Sequence, residues 1–133
     1  MQYEGILDTS LFLWYLHDGT EEEKEKFRKL IKGAIHKGTV FYVPSIVIVE
    51  MVYVLEKVYG LPKSEIREIV ESVFSLPVEV ENFEVILKAL ALYEEKNLKF
   101  GDVLVLAYAQ VRGIKPIYTF DGDFKKFSEA KVL

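Results

Sequence analysis

Cysteine is absent from the 133-residue chain, histidine occurs only at positions 17 and 36, and aspartate occurs only five times. Without cysteine the chain has neither a disulfide framework nor a thiolate metal site. The longest uninterrupted apolar run, 103–109, is seven residues, against the roughly 18 that a membrane span requires. Met1-Gln2-Tyr3-Glu4 lacks the basic start and long apolar stretch of a signal peptide, so a cytoplasmic setting is the default expectation. Internal repeats, low-complexity tracts and Pro/Gly-rich linkers are missing as well.

What the chain does contain is enough for a core. Half of its residues are apolar, with 1 Trp, 8 Tyr and 9 Phe, and a single domain of this length buries roughly two-thirds of its unfolded surface. One domain over residues 1–133 is expected, and disorder is excluded by composition. The net charge is −4, from 17 Lys plus Arg against 21 Asp plus Glu. By type the acids are 16 Glu and 5 Asp, the bases 14 Lys and 3 Arg. Glu and Lys are good helix formers at exposed positions, and their excess over thermolabile residue types matches a thermophile composition. The five aspartates, Asp8, Asp18, Asp102, Asp121 and Asp123, are scarce enough for individual placement to matter.

Residues 3–8 read as a short buried strand that ends at the helix-start sequence Asp8-Thr9-Ser10. A short helix is expected over 11–17. Thr20-Glu21-Glu22-Glu23 fits a capping box, and Phe27, Leu30, Ile31, Ala34 and Ile35 follow at helical spacing until Gly38. A strand at 39–43 precedes Pro44 and a helix to about Gly60. Pro62 restarts a helix with Ile66, Ile69, Val70 and Val73 on one face. Residues 77–80 form a possible third strand, and Asn82 is placed to cap a helix bearing Phe83, Ile86, Leu87, Leu90 and Tyr93. Gly101-Asp102 opens a helix apolar enough to lie inside the protein, and Gly113 ends it. A fourth strand is read at 115–120, a short helix from Asp121, and an edge strand at 131–133. This alternation predicts a three-layer α/β/α fold with a central parallel sheet of four or five strands flanked by helices. Ligands in such folds bind beyond the carboxyl ends of the strands.

Glu50 stands out as the one polar side chain in the apolar stretch 46–55. Burying an unpaired carboxylate costs several kcal/mol or forces protonation. Glu50 therefore needs a cation, a hydrogen-bond network, or a place at the edge of the apolar stripe where it reaches water or a lysine. Asp8, Asp102, Asp121 and Asp123 all stand at element starts, where capping and the helix dipole by themselves favour an acid. Their gathering at one predicted edge favours a shared site. Carboxylates without His or Cys suit hard cations such as Mg²⁺ or Mn²⁺, and these ions hydrolyse phosphodiesters by activating water.

In four motifs the chain resembles the PIN domain, and specifically the small VapC-type ribonuclease toxins. The motifs are Ile6-Leu7-Asp8-Thr9-Ser10, then Val43-Pro44-Ser45 followed by Glu50, then Gly101-Asp102-Val103-Leu104-Val105-Leu106-Ala107, and finally Thr119-Phe120-Asp121-Gly122-Asp123-Phe124. The resemblance implies Asp8 and Asp102 as principal metal ligands, with Glu50 and Asp121 completing the acidic set. Thr9, Ser10 and Thr119 would orient it. Val103 departs from the alanine common after the third acid. Either Asp121 or Asp123 fits the fourth position; Asp121 is preferred for its place at the strand end, which leaves Asp123 to cap the last helix or to bind metal through water. A dehalogenase-type phosphatase would need an acid at position 10, where Ser10 stands. A response-regulator receiver would need an acidic pair at the first strand and a phosphoacceptor aspartate after the third, and neither is present.

The resemblance further implies an RNA substrate, a small antitoxin partner that blocks the acidic cleft, and a homodimer. Competing readings are an RNA-processing or quality-control nuclease and a catalytically silent PIN-like scaffold. Lys96, Lys99, Lys125 and Lys126 flank the third and fourth motifs, where they either contact RNA phosphates or are simply solvated. Trp14 and Tyr15 are read as core more readily than as a stacking surface. The apolar positions of 11–16 and 46–58 exceed what one face can bury, which leaves material for a dimer interface.

Overall fold

A computed structural model describes residues 2–133. Two compact units divide the chain, Met1–Phe83 and Glu84–Leu133.

In the first unit, the segment expected as a strand at 3–8 makes only one isolated bridge, Ile6 with Tyr42. It still runs parallel to β1 (Phe41–Val43): Glu4 N–H donates to Val40 O, Tyr42 N–H to Gly5 O and Leu7 N–H to Tyr42 O. On its other side β1 pairs in parallel with β2 (Val78–Val80), in the register Phe41 with Val78 and Val43 with Val80. β1 is therefore central, and its Phe41 and Val43 are buried.

α1 (Thr9–Leu13) begins two residues earlier than expected and continues as a π-helical turn, Trp14–Asp18, in place of a regular helix over 11–17. α2 (Glu21–Lys37) has the anticipated capping box, with Glu23 N–H donating to Thr20 Oγ1 and Thr20 N–H to Glu23 Oε1. It ends at Gly38 with φ 70°, the left-handed conformation that glycine adopts without steric cost. α3 (Ser45–Lys57) buries Val47, Ile48, Met51, Val52 and Leu55, and α4 (Lys63–Val73) buries Ile66, Val70 and Val73. Both bury residues at the three- and four-residue spacing that puts side chains on one helical face.

In the second unit, α5 (Phe83–Glu95) follows Asn82, whose φ of 54° is one of the few positive values asparagine tolerates. α6 (Phe100–Arg112) buries Val103, Leu106 and Ala107 but leaves Val105 46% exposed, so only one side of this apolar helix is interior. Tyr93 and Phe100 meet edge to face at 5.5 Å. β3 (Ile117–Thr119) pairs in parallel with β4 (Ala130–Val132), and a 3₁₀ turn, Gly122–Lys126, lies between them. Among the described residues all strand pairing is parallel, as expected, but each strand has three residues and hydrogen bonds join them in two separate pairs, β1 with β2 and β3 with β4.

Candidate active site

Asp8 lies directly after buried Leu7 and occupies the N-cap position of α1, yet its side chain caps nothing. The carboxylate is exposed and accepts one hydrogen bond, from Ser10 Oγ at 3.1 Å. Aspartate at an N-cap ordinarily accepts from the backbone N–H two or three residues on. Capping therefore does not explain this acid.

Glu50 comes to the same neighbourhood because α1 packs on α3. The neighbouring Thr9 is the one buried polar or charged side chain among the described residues, at 5% exposure, and its Oγ1 donates to Glu50 Oε2 at 3.2 Å. Glu50 itself is exposed. The apolar stretch around it does not bury it, because α3 leaves one stripe uncovered: Ile46, Glu50 and Tyr53, at i, i+4 and i+7, all face solvent.

In the second unit Asp102 is half-buried in the first turn of α6, whose start carries no side-chain cap. Asp121 follows β3. Its N–H donates to Thr119 Oγ1 at 3.0 Å, and its Oδ1 accepts from Asp123 N–H at 2.9 Å. Asp121 thus caps the 3₁₀ turn, the role expected of Asp123. Thr119 orients the Asp121 backbone, and both acids are exposed.

Among the four lysines, Lys96 and Lys126 hold their Nζ atoms 5.3 and 5.5 Å from the centre of the Phe127 ring, and Lys96 Nζ is 4.0 Å from Glu95. Lys99 and Lys125 are exposed. His17 is exposed too, with Nδ1 2.9 Å from Asp18 and its ring 4.6 Å from that of Tyr59. Trp14 and Tyr15, expected mainly as core, are 47% and 36% exposed; Tyr15 and the 42% exposed Leu16 line an apolar hollow of about 350 Å³ with Phe12, Phe27, Ile31 and Leu76.

One residue of this neighbourhood has no counterpart in the sequence reading. Glu81, just after β2, accepts from Ser45 N–H at 3.1 Å, from Ser45 Oγ at 2.8 Å and from the Tyr42 hydroxyl at 3.2 Å. These donors, the Ser45 backbone first, hold its pKa below the usual carboxylate range. Glu81 supplies from a distance the N-terminal cap that Pro44 cannot give to α3.

The family profile of the PIN domain matches residues 5–130, nearly the whole chain and both of its units. The chain belongs to the PIN domain family. This PIN domain is 35% identical over 124 residues to the VapC ribonuclease of Aquifex aeolicus (strain VF5), covering 91% of this chain and 90% of that protein. The α/β class expected from the alternating elements is that of the family. The donors that the motifs offer to a cation are carboxylate and hydroxyl oxygens alone, which fits Mg²⁺ or Mn²⁺ better than Zn²⁺. Among the described residues, no three His, Asp or Glu side chains are gathered closely enough to hold an ion. Nor is any helix among them long and apolar enough to cross a membrane.

Proposed function

We propose that this PIN domain is a metal-dependent endoribonuclease that hydrolyses RNA phosphodiester bonds and serves as the toxin of a toxin–antitoxin pair. The reading is carried by similarity to a VapC ribonuclease along nine-tenths of both chains. Asp8 supports it, because an N-cap aspartate that caps nothing leaves its carboxylate free for another partner. In this reading residues 1–133 act as one domain in the cytoplasm.

Asp8 and Asp102 are the principal ligands of Mg²⁺ or Mn²⁺, Glu50 and Asp121 complete the set, and Asp123 is the alternative fourth acid. When bound, such an ion would supply Lewis acidity to the phosphate and to a water molecule. The chain's own part is to fix the acids. Thr9 holds Glu50, Ser10 holds Asp8, and Thr119 holds the backbone of Asp121. Lys96, Lys99, Lys125 and Lys126 draw RNA phosphates toward an otherwise acidic surface.

The exposed apolar side chains of the first unit serve protein partners. We assign exposed Trp14 to a homodimer, and Tyr15 and Leu16, which line the apolar hollow, to the antitoxin. Sedimentation of Trp14→Glu as a monomer, with the wild type dimeric, is the expected result for the first assignment.

The deciding experiment is cleavage of structured RNA by the purified protein with Mg²⁺ or Mn²⁺, against Asp8→Asn and Asp102→Asn. Cleavage by the wild type alone supports the reading, and equal cleavage by all three overturns it. Growth arrest on expression, relieved by a neighbouring gene product, separates a toxin from an RNA-processing nuclease. Failure to bind Mn²⁺ in calorimetry would point to the silent scaffold.

A further inference from the structure

The β3–β4 pair presents one side to solvent. Ile117 and Thr119 are half-buried, whereas Tyr118 between them is 65% exposed and Phe120, the next residue along, is 84% exposed. That is the highest value for a large apolar side chain among the described residues. Phe120 stands at the bend one residue beyond β3, two residues on from Tyr118 and about 6.6 Å along an extended backbone. Lys131 is the register partner of Tyr118 on β4 and is exposed with it. The pairing continues one residue further through Leu133 N–H, which donates to Thr119 O at 2.8 Å.

A single exposed phenylalanine is ordinary. Two exposed aromatics two residues apart, with a lysine across the strand and a candidate metal ligand as the next residue, stand out from that background. The backbone is held on both sides of Phe120, since the Asp121 N–H is bonded to the Thr119 hydroxyl and Asp121 caps the turn that follows. Phe120 cannot move far from Asp121.

We propose that Phe120, with Tyr118 two residues before it, is a stacking platform for unpaired bases of an RNA strand, and so a substrate-positioning residue. The proposal rests on the ribonuclease reading above. Charge favours RNA over a second protein: Lys131, the exposed register partner of Tyr118, sets a cation beside the aromatic side chains where a phosphate would run. Size agrees, because a stable protein interface needs on the order of 1,000 Å², whereas two aromatic rings suffice for two bases. Stacking is indifferent to base identity, so this surface would fix the register of a single strand without reading its sequence.

The test is anisotropy of a fluorescein-labelled, unstructured oligoribonucleotide titrated with the full chain in EDTA, where binding is read without cleavage. Phe120→Ala should weaken binding about five- to hundred-fold, the range typical of losing one stacked base, and Phe120→Trp should restore it. A series of oligonucleotides with one abasic position each should reveal one or two positions where base loss weakens the wild type but not Phe120→Ala. Unchanged binding by Phe120→Ala, rescue by Phe120→Leu as complete as by Phe120→Trp, or an abasic series without such a position would overturn the proposal. So would a Phe120→Ala protein that changes from dimer to monomer in sedimentation while binding RNA as before. Dependence on Phe120 in EDTA stands even if Mg²⁺ and Mn²⁺ support no cleavage. Conversely, Phe120→Ala with an unchanged KM, beside an inactive Asp102→Asn, would sink the platform and leave the nuclease intact.

Discussion

The Thr9 hydroxyl donates to the Glu50 carboxylate at 3.2 Å, joining the first turn of α1 to the middle of α3 across 41 residues of sequence. Thr9 is buried and Glu50 is exposed. The bond therefore anchors a solvent-facing acid to the interior from one side and leaves its other side open.

Thr9→Val keeps the shape of the side chain and removes the donor. Chemical denaturation should show a loss of about 1 kcal/mol, the usual worth of such a hydrogen bond, with Thr9→Ser close to the wild type. On the proposed reading Thr9→Val also binds Mn²⁺ more weakly in calorimetry, because Glu50 is no longer fixed. A full loss of stability with unchanged Mn²⁺ affinity would confine Thr9 to a structural role.

Glu81 gives a pH-dependent prediction. Its donors depress its folded-state pKa below the ordinary 4.5, so its contribution to stability is complete above that ordinary value and is lost as pH falls through the folded value. Glu81→Gln should melt below the wild type at neutral pH. The difference should shrink as the pH is taken below the carboxylate range, and melting curves at several pH values read it directly.

The two acids of the fourth motif separate by substitution. Asp121→Ala removes the acceptor for Asp123 N–H and should destabilise the protein by about 0.5–1 kcal/mol. Asp121→Asn keeps an acceptor and should fold like the wild type, yet lose RNA cleavage if the carboxylate binds metal. Asp123→Asn should leave more activity than Asp121→Asn; the reverse order in a cleavage assay would make Asp123 the fourth ligand.

Tyr59 donates to Asp18, and this bond, with some desolvation, pushes the phenol up to about 12. Spectrophotometric titration should show a step near 12 from Tyr59, with Tyr3 and Tyr42, which also face glutamates, displaced upward as well. Both Tyr59→Phe and Asp18→Asn should abolish that late step. The Asp18 carboxyl is lowered in turn, by Tyr59 first and His17 second.

Local chemistry in the sequence was sufficient for most helix limits. The Thr20–Glu23 box and the glycines at 38 and 113 act within one turn of the chain, so their partners are legible three or four residues away. The parallel sense of the strands follows from their alternation with helices. The positions of Asp8, Asp102 and Asp121 at element starts are likewise written in the order of residues.

Three features depended on the tertiary structure. Glu50 looks buried in its apolar surroundings, and only the packing of α1 and α4 on α3 determines which stripe of that helix stays in solvent. Ser45 gives no sign that its cap comes from Glu81, 36 residues onward, because that bond exists only once β1 and β2 have paired. Nor does sequence tell whether an acid at a helix start caps that helix: Asp121 does and Asp8 does not, a distinction set by side-chain geometry. Sequence fixes which groups can interact locally, while distant contacts require the chain to close loops whose ends only the folded core brings together.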